Sequence, residues 1–409
     1  MGKNILLEAL RNNSDKSAYL FESNGTFISY KTGFPALDYN MGFNVNVYDK
    51  DGKLETTYPA IGITAGSIVT IIGKSHVGKT TAAIQFAAAM IKNFKTSFCV
   101  HYDLEGGTNL TRVSTVSRIP INEIEDKWIL RQTGSSIEEI KATIAKLYRE
   151  KTQNPKLYQY DTGKLDEFGR PIIAYEPTCM IIDSVPSLTS YINENTKDGL
   201  KSLEEVSSQT DKMRLTAEIG RFLQESMQML KSANITLFLI NHIKPRPPMG
   251  TPQQAELRCL KQDETLPAGK ALQYYTNTMI RFTAVGAEKY TIEDDGFEGF
   301  GVQALFVKNR SNTDGTIVPL VFDKVKGYDS LRSSIRLAKD LGVLGGNRNG
   351  YYLGDNKDQK FRATTVHQDF NENRELYKIL YGYIIPELEK NLSSVKPEEL
   401  INPDEEMDY

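Results

Sequence analysis

The sequence predicts an α/β protein with a central, mainly parallel sheet, and three observations carry that expectation. Apolar strand-like runs alternate with helical stretches across 61–323, the rhythm of βαβ units. One such run, at 68–72, leads into GKSHVGKT (73–80) and then a small-residue helical segment (81–90). This fits the phosphate-loop pattern G-x-x-x-x-G-K-[ST] in the strand–loop–helix setting that the pattern requires. Two further apolar runs, CVHYDLEGG (99–107) and CMIIDSV (179–185), end in acidic residues at the strand edge where such a loop sits.

The elements follow in order. Residues 1–59 read as a short helix (4–11), polar turns, a strand-like TFISY (26–30) and a polar, Gly- and Asp-rich connector. The body, 60–327, carries strands at 68–72, 97–102, 128–132, 178–183, 236–241, 278–283 and 303–308. Helices at 136–149, 213–231 and 269–277 fill gaps between them, and the late, closely spaced strands predict an antiparallel extension. Residues 328–409 change character: an amphipathic helix (330–344), a short β-like NGYYLGD (349–355), a second helix (374–392) and an acidic end, PDEEMDY. They read as a small C-terminal α/β lobe.

Composition narrows the function classes. The 409 residues are 25% charged with a net charge of −3, so any nucleic-acid surface is local rather than global. The 3 cysteines are far apart and form no CxxC, which argues against zinc and suits a reducing compartment. No apolar run approaches the ~20 residues of a membrane span. The N-terminus lacks a signal-peptide pattern, and Leu6 breaks the myristoylation pattern. The expectation is a cytoplasmic protein with no membrane partner.

In the loop, Gly73 and Gly78 let backbone N–H groups wrap phosphates, and Lys74, Ser75, His76, Val77 and Thr81 complete the cradle. Lys79 supplies charge at the β/γ-phosphates, and Thr80 offers its hydroxyl to Mg²⁺. Asp183 is placed to hold the Mg²⁺ shell; alternatively it caps the next element. Hydrolysis needs a group to orient water, and Asp103 and Glu105 lie on the same strand face, so spacing does not choose between them. LFLINHI (237–243) ends in Asn241–His242, where a strand edge can feel the γ-phosphate; alone, His242 reads as structural. The long segment from 244 to 267 carries Lys244, Arg246, Arg258 and Lys261, cations suited to a phosphate backbone, with Pro248 or Met249 able to press on bases; alternatively it is a surface loop with scattered charges. In FVKNR (306–310), Lys308 and Arg310 read first as a solvated strand end.

Taken together, these pieces resemble the RecA recombinase family, most closely its phage branch of UvsX-like strand-exchange proteins. The resemblance runs from about 66 to 392. HYDLEGG matches the family's acidic strand end, which makes Glu105 the residue that orients water and Asp103 its support. MIIDSVPSL resembles the family's VVDSVAAL, so the segment after it, with Lys197 and Lys201, corresponds to a first DNA loop. LFLINHI is similar to LIFINQI, with His242 in place of the γ-phosphate-sensing glutamine. The loop 244–268 corresponds to a second DNA loop, closed by PAGKALQYY, which is similar to GGNALKFY and includes Lys270. FVKNR resembles VKNK, which implies that Lys308 and Arg310 reach a neighbouring copy's nucleotide. Arg112 falls where the family packs an aromatic on adenine, a departure from its pattern. His76 lies in a loop interior unlike the family's and becomes a candidate interface residue.

The resemblance implies a DNA-dependent ATPase with a RecA-type P-loop core, a short N-terminal oligomerisation segment and a C-terminal lobe. It would use ATP and Mg²⁺, polymerise with itself on single-stranded DNA, and exchange strands with double-stranded DNA, helped by mediator and single-strand-binding proteins. The alternatives are a hexameric RecA-fold helicase and a nucleotide-gated scaffold.

Overall fold

The computed structural model describes residues 28–133, 136–190, 202–203, 205, 208–246, 255, 259–285, 298–347, 350–362 and 365–392. Its centre is a sheet of nine strands: β1 (Ile68–Gly73), β2 (Cys99–Asp103), β3 (Trp128–Arg131), β4 (Thr178–Asp183), β5 (Ile235–His242), β6 (Thr278–Val285), β7 (Gly299–Asn309), β8 (Ile317–Asp323) and β9 (Gly327–Tyr328). Their order across the sheet is β9-β8-β7-β6-β1-β5-β4-β2-β3. The six strands from β6 to β3 are parallel, and β7, β8 and β9 add an antiparallel flank. The sheet is therefore mixed and mostly parallel, as the alternation of runs predicts.

Both faces of the parallel part are buried, which is why its strands read as unbroken apolar runs. Val69, Ile71, Ile181, Phe238 and Ile240 point to one face, and Ile68, Ile72, Met180, Ile182, Leu237 and Leu239 to the other. Helix α1 (Lys79–Ile91) covers the first face; its small side chains (Ala82, Ala83, Ala87, Ala88) let it lie close to the sheet. Helix α2 (Leu110–Ser117) follows on the same side, capped by the Asn109 side chain. The second face is covered by α3 (Ile137–Gln153) and α4 (Gln209–Ser232). A Ser136–Glu139 capping box starts α3. Near its end the buried Lys151 donates to the carbonyls of Glu176 and Ala233, and burial pushes its ammonium down to about 7.

The sequence reading missed several elements. The supposed connector is a hairpin, Phe43–Tyr48 against Leu54–Ala60, with Val45 and Val47 facing inward and the polar alternates facing out. A second hairpin, Gln159–Leu165 with Pro171–Tyr175, lies beside it; the Tyr58 hydroxyl donates to the Leu165 carbonyl, and the Tyr48 N–H to the Glu167 carbonyl. β8 and β9 extend the flank beyond the strands expected.

Helix α5 (Gly269–Tyr275) lies between β5 and β6 in the chain, and after β9 come α6 (Ser330–Asp340), α7 (Val366–Glu372) and α8 (Arg374–Glu389), with a small hairpin, Leu344–Asn347 and Gly350–Leu353, after α6. Buried Leu331, Phe370, Leu380 and Ile384 belong to the same apolar cluster as Phe86 and Phe282, so the C-terminal helices share the core of the sheet. The expected leader helix at 4–11 and the acidic tail lie outside the described residues. Among the described residues, no helix is long and apolar enough to cross a membrane.

Candidate functional site

β1 lies between β6 and β5, and the loop 74–78 leaves its carboxyl end to start α1. Glycine is needed at both ends of that loop. A Cβ on Gly73 would sit 2.6 Å from the Phe282 carbonyl oxygen. Gly78 has φ 77°, and a Cβ there would sit 2.7 Å from the Phe322 ring. Between them Val77 is buried and its carbonyl accepts from the Tyr328 hydroxyl at 2.6 Å, which fastens the loop from beneath. Lys74, Ser75 and His76 are exposed, and His76 has φ 63°. Thr81 is buried in the first turn of α1.

Lys79 is only 5% exposed. Its ammonium donates to the Lys74 carbonyl at 2.8 Å and lies 3.4 Å from His242 Nδ1. Burial lowers its pKa to about 8, against the opposing pull of the Asp183 and Glu105 charges. Thr80 donates to Asp183 Oδ2 at 2.5 Å. Asp183 is 4% exposed, and its Oδ1 has no hydrogen-bond partner among the described residues. Burial pushes its carboxyl up to about 6, although the Thr80 bond works the other way.

Two candidate acids that spacing could not separate are separated by the fold. Asp103 is buried and accepts from the N–H groups of Gly107 and Thr108 and from the Gln132 amide at 2.9 Å. It is spent on holding the turn. Glu105 is half-exposed; its Oε1 accepts from the Ser184 hydroxyl at 2.6 Å and lies 3.0 Å from His242 Nε2. The bond from His242 holds its carboxyl down to about 2, against the effect of burial, with Ser184 and Lys79 adding to it. The Lys79 ammonium cannot accept, so Nδ1 of His242 accepts from it and the ring proton sits on Nε2, directed at Glu105. Glu105, Asp183 and His242 offer ligand atoms within 4.8 Å of one another. The hydroxyl of Thr80 and the unpartnered Asp183 oxygen are hard donors of the kind Mg²⁺ takes, and the buried Lys79 ammonium and the α1 N-terminus suit a phosphate.

Beyond His242 the chain enters the long cationic segment, whose base is closed. Asn241 donates from its side chain to the Pro267 carbonyl at 2.7 Å, and its side-chain oxygen accepts from the His242 N–H. Lys244–Pro245 pairs with Glu264–Thr265, and the Arg246 N–H reaches the Asp263 carbonyl. Glu264, 3% exposed, is gripped by Arg281 at 2.9 Å and by the Lys261 N–H at 2.9 Å. Neither Glu264 nor Arg281 emerged from the sequence, although an arginine inside TMIRFTAV is the signal that could have found them. Lys261 and Lys270 are exposed. Arg246 and Lys270 line an open groove of 1250 Å³ between α4 and α5, with Lys212, Arg221, Met213 and Tyr274. Lys197, Lys201, Pro248, Met249 and Arg258 lie outside the described residues.

Three candidate residues stand apart from this cluster. Lys308 and Arg310 sit near where β1 begins, not where it ends, since Lys308 is opposite Met279 and Met279 opposite Thr70. Lys308 donates to the carbonyls of Gln273 and Tyr274 at the end of α5, and Arg310 to that of Tyr274. Burial, then Arg310, lowers the Lys308 pKa to about 8. Arg112, on α2, donates to the Val325 carbonyl in the turn that leads to Tyr328. No protein-family model matches this sequence, and no curated protein matches it either.

Proposed function

We propose that the chain is a DNA-dependent ATPase with a RecA-type core that polymerises on single-stranded DNA and exchanges homologous strands. The observation that carries this reading is one line of hydrogen bonds, which passes through the backbone N–H of His242. It runs from Lys79 to His242 to Glu105 and continues from His242 through Asn241 to the Pro267 carbonyl. It connects a phosphate loop to both ends of a cation-bearing segment, the linkage a nucleotide-gated polyanion binder needs.

Thr80 and Asp183 would hold Mg²⁺, which supplies positive charge to the phosphates when bound. Lys79 and the backbone of 73–80 bind and orient the triphosphate. Glu105, ionised throughout the neutral range, orients a water by accepting its proton as a hydrogen bond. His242 shares its two ring nitrogens between Lys79 and Glu105, and a change at either that moves the His242 backbone is passed to Asn241, which accepts from its N–H. Lys308 and Arg310, remote from their own chain's loop, complete a neighbouring copy's site.

Electron microscopy with single-stranded DNA and a non-hydrolysable ATP analogue tests the proposal. Open helical filaments support it, closed six-membered rings favour a helicase, and no DNA stimulation of ATP hydrolysis rejects both.

A further inference from the structure

Lys74 joins two structures that the phosphate-loop pattern does not connect. Its carbonyl accepts from Lys79 at 2.8 Å, and its side-chain ammonium lies 3.9 Å from Glu264. Glu264 is the buried anchor of the 244–268 segment. Its carboxylate is divided between Arg281, whose Nη2 lies 3.0 Å from Oε1, and the Lys261 N–H. Arg281 also donates to the Cys259 carbonyl, so one guanidinium fixes two points on the returning arm of the segment. Arg281 itself is rigidly placed, because it stands opposite Ile72 in the strand next to β1.

The two ends of this chain of contacts differ in strength. Glu264 is 3% exposed and doubly gripped, whereas the Lys74 side chain is 70% exposed and its ion pair is long. A long, exposed pair of that kind is weak and is given up readily to a stronger anion. The same Lys74 ammonium lies on the loop that would wrap a triphosphate, and the Lys74 carbonyl is bonded to the buried Lys79 of that loop.

We infer that Lys74 is a positioning residue that carries the state of the phosphate loop to the returning arm of the 244–268 segment through Glu264, by a route separate from His242. Without an anion it steadies Glu264. With a triphosphate in the loop it turns to the phosphates, and the arm from Cys259 to Glu264 loosens. The inference rests on the reading of the loop as a triphosphate site.

Limited trypsin digestion of the full chain, quantified peptide by peptide, tests it. Lys244 and Arg246 are each followed by proline and resist cleavage, so the cuts after Arg258 and Lys261 report on the arm. Adding a saturating non-hydrolysable ATP analogue with Mg²⁺ to dilute, DNA-free wild type should speed cleavage after Lys261 about two- to five-fold, the range that loss of an exposed ion pair supports. Lys74→Gln should be cut at the faster rate without nucleotide and respond no further to analogue shown by direct binding to be saturating. Lys74→Arg should behave as wild type. Equal cleavage of nucleotide-free Lys74→Gln and wild type overturns the inference. So does a wild type that binds the analogue with no change after Lys261, which leaves the ATP reading intact. Failure of the wild type to bind the analogue overturns both.

Discussion

Lys79→Met should stabilise the protein and, on the proposed reading of the loop, abolish triphosphate binding. Lys79 keeps its charge in a nearly closed site, and burial displaces its pKa from 10.5 to about 8. At ~1.4 kcal/mol for each tenfold change in proton affinity, that displacement corresponds to about 3 kcal/mol of cost to the folded state near neutral pH. Methionine fills a similar volume without a charge, and the loss of the hydrogen bonds to the Lys74 carbonyl and His242 Nδ1 offsets about 1–2 kcal/mol. The expected gain is therefore about 1–2 kcal/mol in the absence of nucleotide. Urea unfolding followed by Trp128 fluorescence suits the measurement, because Trp128 is the sole tryptophan and is buried in β3. The pH dependence gives a second check with a fixed sign. Between about 8 and 10.5 the unfolded wild type binds more protons than the folded form at this site, so its stability rises with pH there. Lys151 and Lys308 have lowered pKa values in both proteins, so only the difference between the two isolates Lys79. The variant's advantage should be full at pH 7 and fade as pH passes 8 towards 10.5. A variant less stable than wild type at pH 7, or an advantage constant to pH 10.5, would refute the argument.

Glu105→Gln should lower ATP turnover by about 10²–10⁴-fold with nucleotide affinity nearly unchanged, measured by steady-state hydrolysis and analogue binding. A loss of affinity equal to the loss of turnover would remove Glu105 from the water-orienting role. Lys308→Ala should abolish hydrolysis by assembled protein, a fall of about 10³-fold or more, while dilute protein still binds nucleotide. Mixing it with Glu105→Gln protein should restore turnover, since an interface between the two has one intact composite site; no recovery means each site belongs to one chain. Tyr328→Phe should cost about 1–3 kcal/mol in urea unfolding by leaving the Val77 carbonyl buried without its donor, and should weaken analogue binding; an unchanged affinity would show that the loop holds its shape unaided.

What could be read from the sequence was what is local. Ile68–Gly73, the loop and α1 are contiguous, so strand pattern, glycines and small helix residues announce them together. Asp183 and Asn241–His242 stand out in the sequence because they end apolar runs, and these runs are buried strands of one sheet. Asp103 and Glu105 could not be told apart, because an extended run would put residues two apart on one face; in the structure the strand ends at Asp103 and Glu105 lies in the turn beyond it. The choice is made by Gly107, Thr108 and Gln132 turning back onto one acid and by Ser184 and His242 arriving from other strands at the other. The Glu264–Arg281 grip was hidden for the same reason: its partners belong to different elements, and only register brings them together. The 43–60 hairpin was missed because its outward residues are so polar that Val45 and Val47 hardly register as an alternating pattern.

The position of Tyr328 makes the chain indivisible at the place where its sequence changes character. A cut between 327 and 328 looks natural on the page, but it would remove a ring packed against Phe34, Phe282 and Phe322, a β9 partner of Phe322, and the hydroxyl under Val77. The fragment ending at 327 would lose the floor of its own 73–80 loop. Conversely, a force applied to α6, which begins two residues after Tyr328, has a direct mechanical path to that floor. A fragment meant to keep the 73–80 loop in shape must therefore extend past Tyr328.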